Sequence, residues 1–431
     1  MTAEEEARMI TRPLKLCIIG GGSTYTPELI GGMIDLRHSL SVEEVSLMDV
    51  DAERLETIGG LARRMVANSP CDFAVRTTCD RLDALRDADY VITQIRVGGL
   101  RARIQDERIP LKHGVIGQET TGPGGFANAL RTIPVMLDIA SDMARTAPKA
   151  RLINFTNPSG IVTEALVKHS EVEPIGLCNG PIGAQRAIAH LLDADPKRVE
   201  LDWVGLNHLS WVRGVMFDGE EIIDDVVERT ISSGLLSQFS PALLRRLRML
   251  PSYYLDYYYN TSRVLSEQLA AGRTRGDDVL EIEKHLLNRY VDPELTAKPA
   301  ELEQRGGAYY STAALSLIRA IEGEEGIHIV NAPNRGAVAD LPDEVVVEVP
   351  CIVERGTVRP AACAPLPLSI RGLVQCVKSY EELTIKASVK GDEDAALLAL
   401  HAHPLVPDYD TAQRIWEDIK RIHARYLPQF A

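Results

Sequence analysis

The stretch Leu16-Cys17-Ile18-Ile19-Gly20-Gly21-Gly22-Ser23-Thr24-Tyr25-Thr26-Pro27 constrains this chain most. An apolar run of this kind reads as a strand buried on both faces of a parallel sheet. Glycines directly after it let the backbone turn tightly and approach a ligand with no Cβ between. Thr26 is placed to cap a helix, Pro27 to take its first position and Glu28 to sit in its first turn. Such a helix aims free N–H groups and the positive end of its dipole at an anion. The pattern predicts a dinucleotide pyrophosphate site.

The spacing departs from G-x-G-x-x-G at the third glycine, where Tyr25 stands. A glycine-rich turn alone fits a plain strand–helix turn equally well. Two further features favour the nucleotide. Residues 45–49 predict a second strand ending in Asp49, placed to hold a ribose diol, although further along than the usual ~20 residues. Residues 89–95 predict a third. The alternation of strand and helix predicts an α/β fold built on a doubly wound sheet.

Composition narrows the partners. A net charge of −14 disfavours a nucleic-acid or anionic-membrane surface but leaves room for a local cationic pocket. No segment approaches the ~18 uninterrupted apolar residues of a membrane span. The acidic opening Met1-Thr2-Ala3-Glu4-Glu5-Glu6 does not read as a secretory signal. Seven scattered cysteines without a CxxC pair suit a reducing cytoplasm.

Along the chain, residues 52–67 read as helix, 73–77 as strand and 80–86 as a short helix. A helix carrying Arg101, Arg103, Asp106 and Glu107 follows the turn Arg96-Val97-Gly98-Gly99. Residues 117–125 form a polar glycine-rich segment, expected to be a mobile surface loop or a lid, before helix resumes over 126–145. Strands at 151–155, 174–178 and 201–206 run into Asn157, into Cys178-Asn179 and into Asn207-His208. Beyond 210 long helices with some β take over. The expected division is a Rossmann-like nucleotide domain over 1–209 and a mixed α+β domain over 210–431.

Four groups carry chemistry. Cys178 and His208 each end an apparent strand, so they can meet at one sheet edge, and a thiolate with an imidazole suits a first-row transition metal. Their separation by 30 residues outside any metal motif favours a plainer pair, a buried thiol and a surface histidine. Residues 251–259 hold five of the 13 tyrosines, with Tyr254, Tyr257 and Tyr258 on one face if the segment is helical. Core packing is the ordinary reading, yet a phenol beside a metal or arginine can act as a base. Arg96, Arg103 and Arg275 can each grip a phosphate, although most arginines only cover a surface. Glu119 is a possible acid or base, or a solvated loop carboxylate.

Taken together these residues resemble the NAD-dependent glycoside hydrolases of family 4, of the 6-phospho-β-glucosidase type. The matching blocks include 19–30, 109–127, 154–166, 176–183, 205–211, the tyrosine segment and 307–320. The family stands outside the usual scheme of two carboxylates. The resemblance implies oxidation of the sugar at C3 by bound NAD, loss of the C2 proton to a base, departure of the aglycone, water addition and return of the hydride. It implies a divalent metal, usually manganese, at the C2 and C3 oxygens. It makes Cys178 and His208 the metal ligands and Tyr254 the base with Tyr257 its rival; Glu119 stands beside them as a candidate catalytic acid or base on its glycine-rich setting alone. Gly20, Gly22, Ser23, Thr24, Asp49 and Arg96 are the expected NAD contacts, Arg103, Asn157 and Asn179 the sugar contacts and Arg275 the phosphate contact. Where α-cleaving members carry an aspartate resembling a leaving-group acid, this chain has Gly176, which favours β-linked substrates. Gly180 stands where many β-cleaving members carry a larger residue. The implied substrate is a phosphorylated disaccharide or aryl glucoside, and the implied assembly a homodimer or homotetramer. Competing readings are a same-family hydrolase of a non-phosphorylated galactoside or uronide, a 2-hydroxy-acid dehydrogenase, and a non-catalytic NAD sensor.

Overall fold

Leu16, Cys17, Ile18 and Ile19 are all buried, so both faces of β1 (Leu14–Ile19) are covered. Each aliphatic side chain so buried contributes about 1.5–3 kcal/mol. The computed structural model describes residues 12–305 and 309–431. The acidic opening Met1–Glu6, and Gly307 and Ala308 of the last matching block, lie outside them.

β1 pairs in parallel with β2 (Val42–Met48) on one side and β4 (Tyr90–Thr93) on the other. Adding β3 (Ala74–Thr78), β5 (Arg151–Asn154) and β6 (Pro174–Gly176), the parallel strands run in the order β3-β2-β1-β4-β5-β6. This is the doubly wound dinucleotide-binding order, with its switch point between β1 and β4. The expected helices appear as Thr26–Asp35, Ala52–Ala67, Arg81–Leu85, Gly99–Lys112 and Gly122–Thr146.

A hairpin of β7 (Val199–Leu206) and β8 (Leu209–Phe217) forms a second, antiparallel sheet with the short β9 (Glu220–Glu221) and β10 (Leu250–Pro251). The large sheet then continues past β6 with antiparallel strands β11 (Gly326–Pro333), β12 (Val346–Glu354) and β13 (Thr357–Pro360). The α/β sheet therefore draws strands from both ends of the chain, and residue 209 opens the second strand of a hairpin. β12 lies against β7 and joins the two sheets.

Three local expectations are corrected. Thr26 does not cap its helix: Tyr25 holds the cap position, and the Thr26 hydroxyl donates to the Gly21 carbonyl at 2.8 Å, bracing the glycine turn instead. Residues 119–125 are buried rather than a surface loop, and helix begins at Gly122. The glycines there serve close packing, since a Cβ on Gly124 would come within 2.2 Å of the Gln118 carbonyl oxygen. The tyrosine segment is not one amphipathic helix: a 3₁₀ turn, Tyr253–Leu255, precedes the short helix Asp256–Tyr259. The tighter 3₁₀ winding breaks the i,i+4 alignment. Among the described residues no helix is long and apolar enough to cross a membrane.

Candidate active site

At the switch point a cavity of about 610 Å³ opens over the ends of β1, β2, β4 and β5. Gly20 sits at φ 91°, and a Cβ there would lie 2.9 Å from the Gln94 backbone, so no other residue makes this turn without strain. The Gly22 N–H donates to Asp49 Oδ2 at 2.9 Å, which ties the turn to the end of β2. Gly20, Gly22, Ser23, Asp49, Arg96 and Asn157 all line the cavity. Thr24 does not: it is buried behind the turn, with its hydroxyl 3.4 Å from Glu283 Oε1. An aromatic wall completes the space, with Tyr25 stacked on Tyr310 at 5.3 Å and Phe155 4.5 Å from Tyr310. A glycine turn, a helix start, a carboxylate at the second strand and flat aromatic walls fit a dinucleotide.

Cys178 and His208 come together although they do not share a sheet edge. Cys178 follows β6 of the large sheet, whereas His208 occupies the turn between β7 and β8 at φ 63°. Cys178 Sγ and His208 Nε2 lie 3.6 Å apart. At that separation one divalent ion would be within reach of both atoms, and a thiolate with an imidazole is a donor set suited to a first-row transition metal. Among the described residues no cluster supplies three His, Cys, Asp or Glu ligands, so the pair leaves further coordination positions open.

Hydrogen bonding fixes the state of the histidine. Gln118 Oε1 accepts from the Thr120 N–H at 2.5 Å and from the Thr120 hydroxyl at 2.8 Å. That hydroxyl has one proton, so towards His208 Nδ1, 2.8 Å away, it can only accept. His208 therefore carries its proton on Nδ1 and turns the Nε2 lone pair to the sulfur. Burial holds its pKa down at about 3, against the pull of Glu119, and a neutral imidazole is the ligand form. Burial pushes the Cys178 thiol up to about 12, while the Gly180 N–H at the start of helix Gly180–Leu191 donates to the sulfur. A divalent ion held there would override that rise by binding the thiolate outright.

Glu119 lies between two cations, paired with Arg96 of the nucleotide cavity and, at 2.9 Å, with Arg103. Burial favours its neutral form, but Arg103 and Arg96 outweigh burial and leave the carboxyl below its ordinary value. Arg103 also pairs with Glu107 at 2.9 Å. Arg275 opens helix Arg275–Tyr290, exposed, with its guanidinium donating to the Gln304 carbonyl at 3.0 Å; it lines neither large cavity.

Tyr254 stacks on His208, ring centroids 3.6 Å apart and planes within 13°. Tyr257 lies 6.3 Å from Tyr254, and Tyr258 turns away to His403, with its Oη 3.3 Å from Nε2. Burial raises the Tyr254 phenol well above its ordinary value, and Tyr253 and Cys178 add to the rise. Cys178, Asn179, His208 and Tyr254 face one space, a second cavity of about 350 Å³.

Residues 15–194 match the family described as "Family 4 glycosyl hydrolase", and residues 203–406 match "Family 4 glycosyl hydrolase C-terminal domain". A "Probable 6-phospho-beta-glucosidase" of Bacillus subtilis (strain 168) is 45% identical, covering 98% of this chain and 99% of that protein. The chain belongs to glycosyl hydrolase family 4. The "6-phospho-beta-glucosidase" of Escherichia coli (strain K12) is 39% identical over 98% of both chains. The structure of the Thermotoga maritima 6-phospho-beta glucosidase with manganese, NAD+ and glucose-6-phosphate superposes with a TM-score of 0.89 at 38% identity, covering 96% of this chain and 99% of that one.

Within this family 4 chain, two further residues stand beside the Cys178–His208 pair that the sequence did not single out. Thr120 was visible only as part of a glycine-rich run. Glu348 is fully buried and accepts from Trp203 Nε1 at 3.0 Å and Asn207 Nδ2 at 2.9 Å, bracing the turn that presents His208. Its signal was a lone carboxylate inside the apolar run Val345-Val346-Val347-Glu348-Val349.

Proposed function

We propose that this protein hydrolyses 6-phospho-β-glucosides by oxidation at C3, deprotonation at C2, elimination of the aglycone, water addition and re-reduction. The observation that carries the reading is a cysteine–histidine pair at ligand spacing, stacked on a tyrosine, in a chain that also builds a dinucleotide cavity. Relatives at 39–45% identity bear the name 6-phospho-beta-glucosidase. When bound, NAD supplies a reversible hydride acceptor, and a divalent ion, manganese by preference, supplies a Lewis acid at the C2 and C3 oxygens and charge that favours a phenolate.

The chain's own residues then divide the work. Cys178 and His208 hold the ion. Tyr254 takes the C2 proton, because its ring lies on His208 and borders the space that Cys178 borders, whereas Tyr257 is one ring further off. Glu119 is a positioning carboxylate: a group held ionised between two arginines aligns Arg96 with the cofactor and Arg103 with the sugar. Asn157 and Asn179 contact the sugar, and Arg275 its phosphate. Gly20, Gly22, Ser23 and Asp49 hold the NAD, with Thr24 supporting them from behind. A cytoplasmic site of action agrees with free cysteines and a phosphorylated substrate. The assembly is a homodimer or homotetramer, which sedimentation reads directly.

The test is a panel of nitrophenyl glycosides, with and without a 6-phosphate, assayed with NAD, manganese and a thiol reductant. Turnover confined to the phosphorylated β-glucoside supports the reading; equal use of plain glycosides contradicts it. Two substitutions probe its parts. Arg275→Ala is expected to lower kcat/KM on the 6-phosphoglucoside roughly 10- to 100-fold, the worth of a charge-assisted hydrogen bond, with NAD affinity unchanged. Thr120→Val leaves the His208 Nδ1–H without an acceptor and is expected to weaken manganese binding ~10–100-fold by calorimetry, with Thr120→Ser restoring it.

A further inference from the structure

Glu107 is buried in helix Gly99–Lys112, and its two carboxylate oxygens serve different elements. Oε1 accepts from Arg103 Nε at 2.9 Å, one turn earlier on the same helix. Oε2 accepts from the Gly276 N–H at 2.7 Å, in the first turn of helix Arg275–Tyr290. A carboxylate there also meets the positive end of that helix's dipole. The approach requires glycine: a Cβ on residue 276 would lie 2.9 Å from Ile104 Cγ1 and 3.0 Å from Glu107 Oε2. Thr274 and Asp277 close a capping box at the same helix start, so Glu107 adds to an end that its own residues already cap.

Arg103 is mostly buried, and two carboxylates grip it: Glu107 at Nε and Glu119 at Nη1, each at 2.9 Å. Among the described residues no hydrogen bond or ion pair takes its Nη2. Burial disfavours its charge, but Glu119, Glu107 and, more weakly, Tyr254 outweigh burial. An ionised guanidinium is thus held near the phenol that stacks on His208. A planar guanidinium gripped at two of its nitrogens cannot swing, so the two N–H donors on the third keep one direction. Glu119 alone, through a single nitrogen, leaves that plane free to turn.

We propose that Glu107 is a positioning residue that aims Arg103 at the sugar, with the first turn of helix Arg275–Tyr290 as its fixed support. The proposal rests on the 6-phospho-β-glucosidase reading, in which Arg103 contacts the sugar. Both partners of Glu107 are donors, so only a side chain with two acceptors serves both. Glutamine at 107 keeps the size and one acceptor but turns an N–H₂ group towards the other donor. Gly276→Ala is a second probe, which leaves every charge in place and presses only on Oε2 and Ile104.

The experiment is a double-mutant cycle read as glucose 6-phosphate binding, by calorimetry, to the protein loaded with NAD and manganese. Glu107→Gln is expected to weaken binding ~10–100-fold, the worth of a hydrogen bond to a charged group, and Gly276→Ala to weaken it in the same direction. In an Arg103→Met background, adding either substitution should cost ~3-fold or less, because a residue acting through Arg103 has nothing left to aim. A role confined to holding the two helices together lowers binding by the same factor with or without Arg103. Additive losses of that kind, or native affinity in Glu107→Gln or in Gly276→Ala, overturn the proposal. Failure of the parent reading looks different: the native protein then neither binds glucose 6-phosphate nor turns over a 6-phosphoglucoside, and the proposal falls with it.

Discussion

Tyr254→Phe is expected to slow hydrolysis by ~10²–10⁴, the usual cost of a lost general base, with little change in NAD or manganese affinity. The phenolic hydroxyl is the one group removed. The phenylalanine ring keeps the stack on His208, whose centroid is 3.6 Å away, so the ligand geometry survives. The effect belongs in kcat, since the proton moves only after substrate is seated. Tyr257→Phe is the control: its ring lies 6.3 Å from that of Tyr254 and should cost far less. A larger loss at Tyr257 would transfer the base to that residue.

The second large effect is expected at the metal pair. Cys178→Ser and His208→Asn should each lose more than ~10² in manganese affinity, because even a residue supporting a ligand is worth 10–100-fold. Activity should fall with it. Asparagine is the better replacement for the histidine because position 208 sits at φ 63°, a conformation it adopts more readily than alanine does. Both variants should keep their melting temperature within a few degrees and lose bound metal by elemental analysis. Either one retaining native activity after chelator treatment contradicts the assignment.

How far the sequence announced this site depends on how local each part is. β1 and its glycine turn were legible because a continuous apolar run, a turn and a helix start are neighbours in the chain. The site around Cys178 and His208 was not legible from spacing, because the two residues leave different sheets and meet only where β12 joins β7 to the large sheet. Strand pairing at long range is invisible to periodicity, which is also why β11, β12 and β13 gave no sign of extending the nucleotide sheet. Only the family resemblance carried those residues. The glycine-rich segment 117–125 misled in the other direction. Its composition reads as solvent-exposed, yet its glycines admit the backbone into the interior, where Glu119 meets Arg96 and Arg103 and Thr120 meets His208. Thr26 shows the same limit on a smaller scale, a capping residue by type whose hydroxyl turns back to Gly21.

The central claim is that the C2–H bond breaks during hydrolysis, which direct displacement at C1 never requires. The measurement is hydrolysis of an aryl 6-phospho-β-glucoside in heavy water, with the glucose 6-phosphate product read by NMR. The account predicts deuterium at C2, because the base exchanges its proton with solvent before returning it, and none at C3, because that hydrogen travels as hydride and comes back. Product that keeps its C2 protium in full would contradict the account.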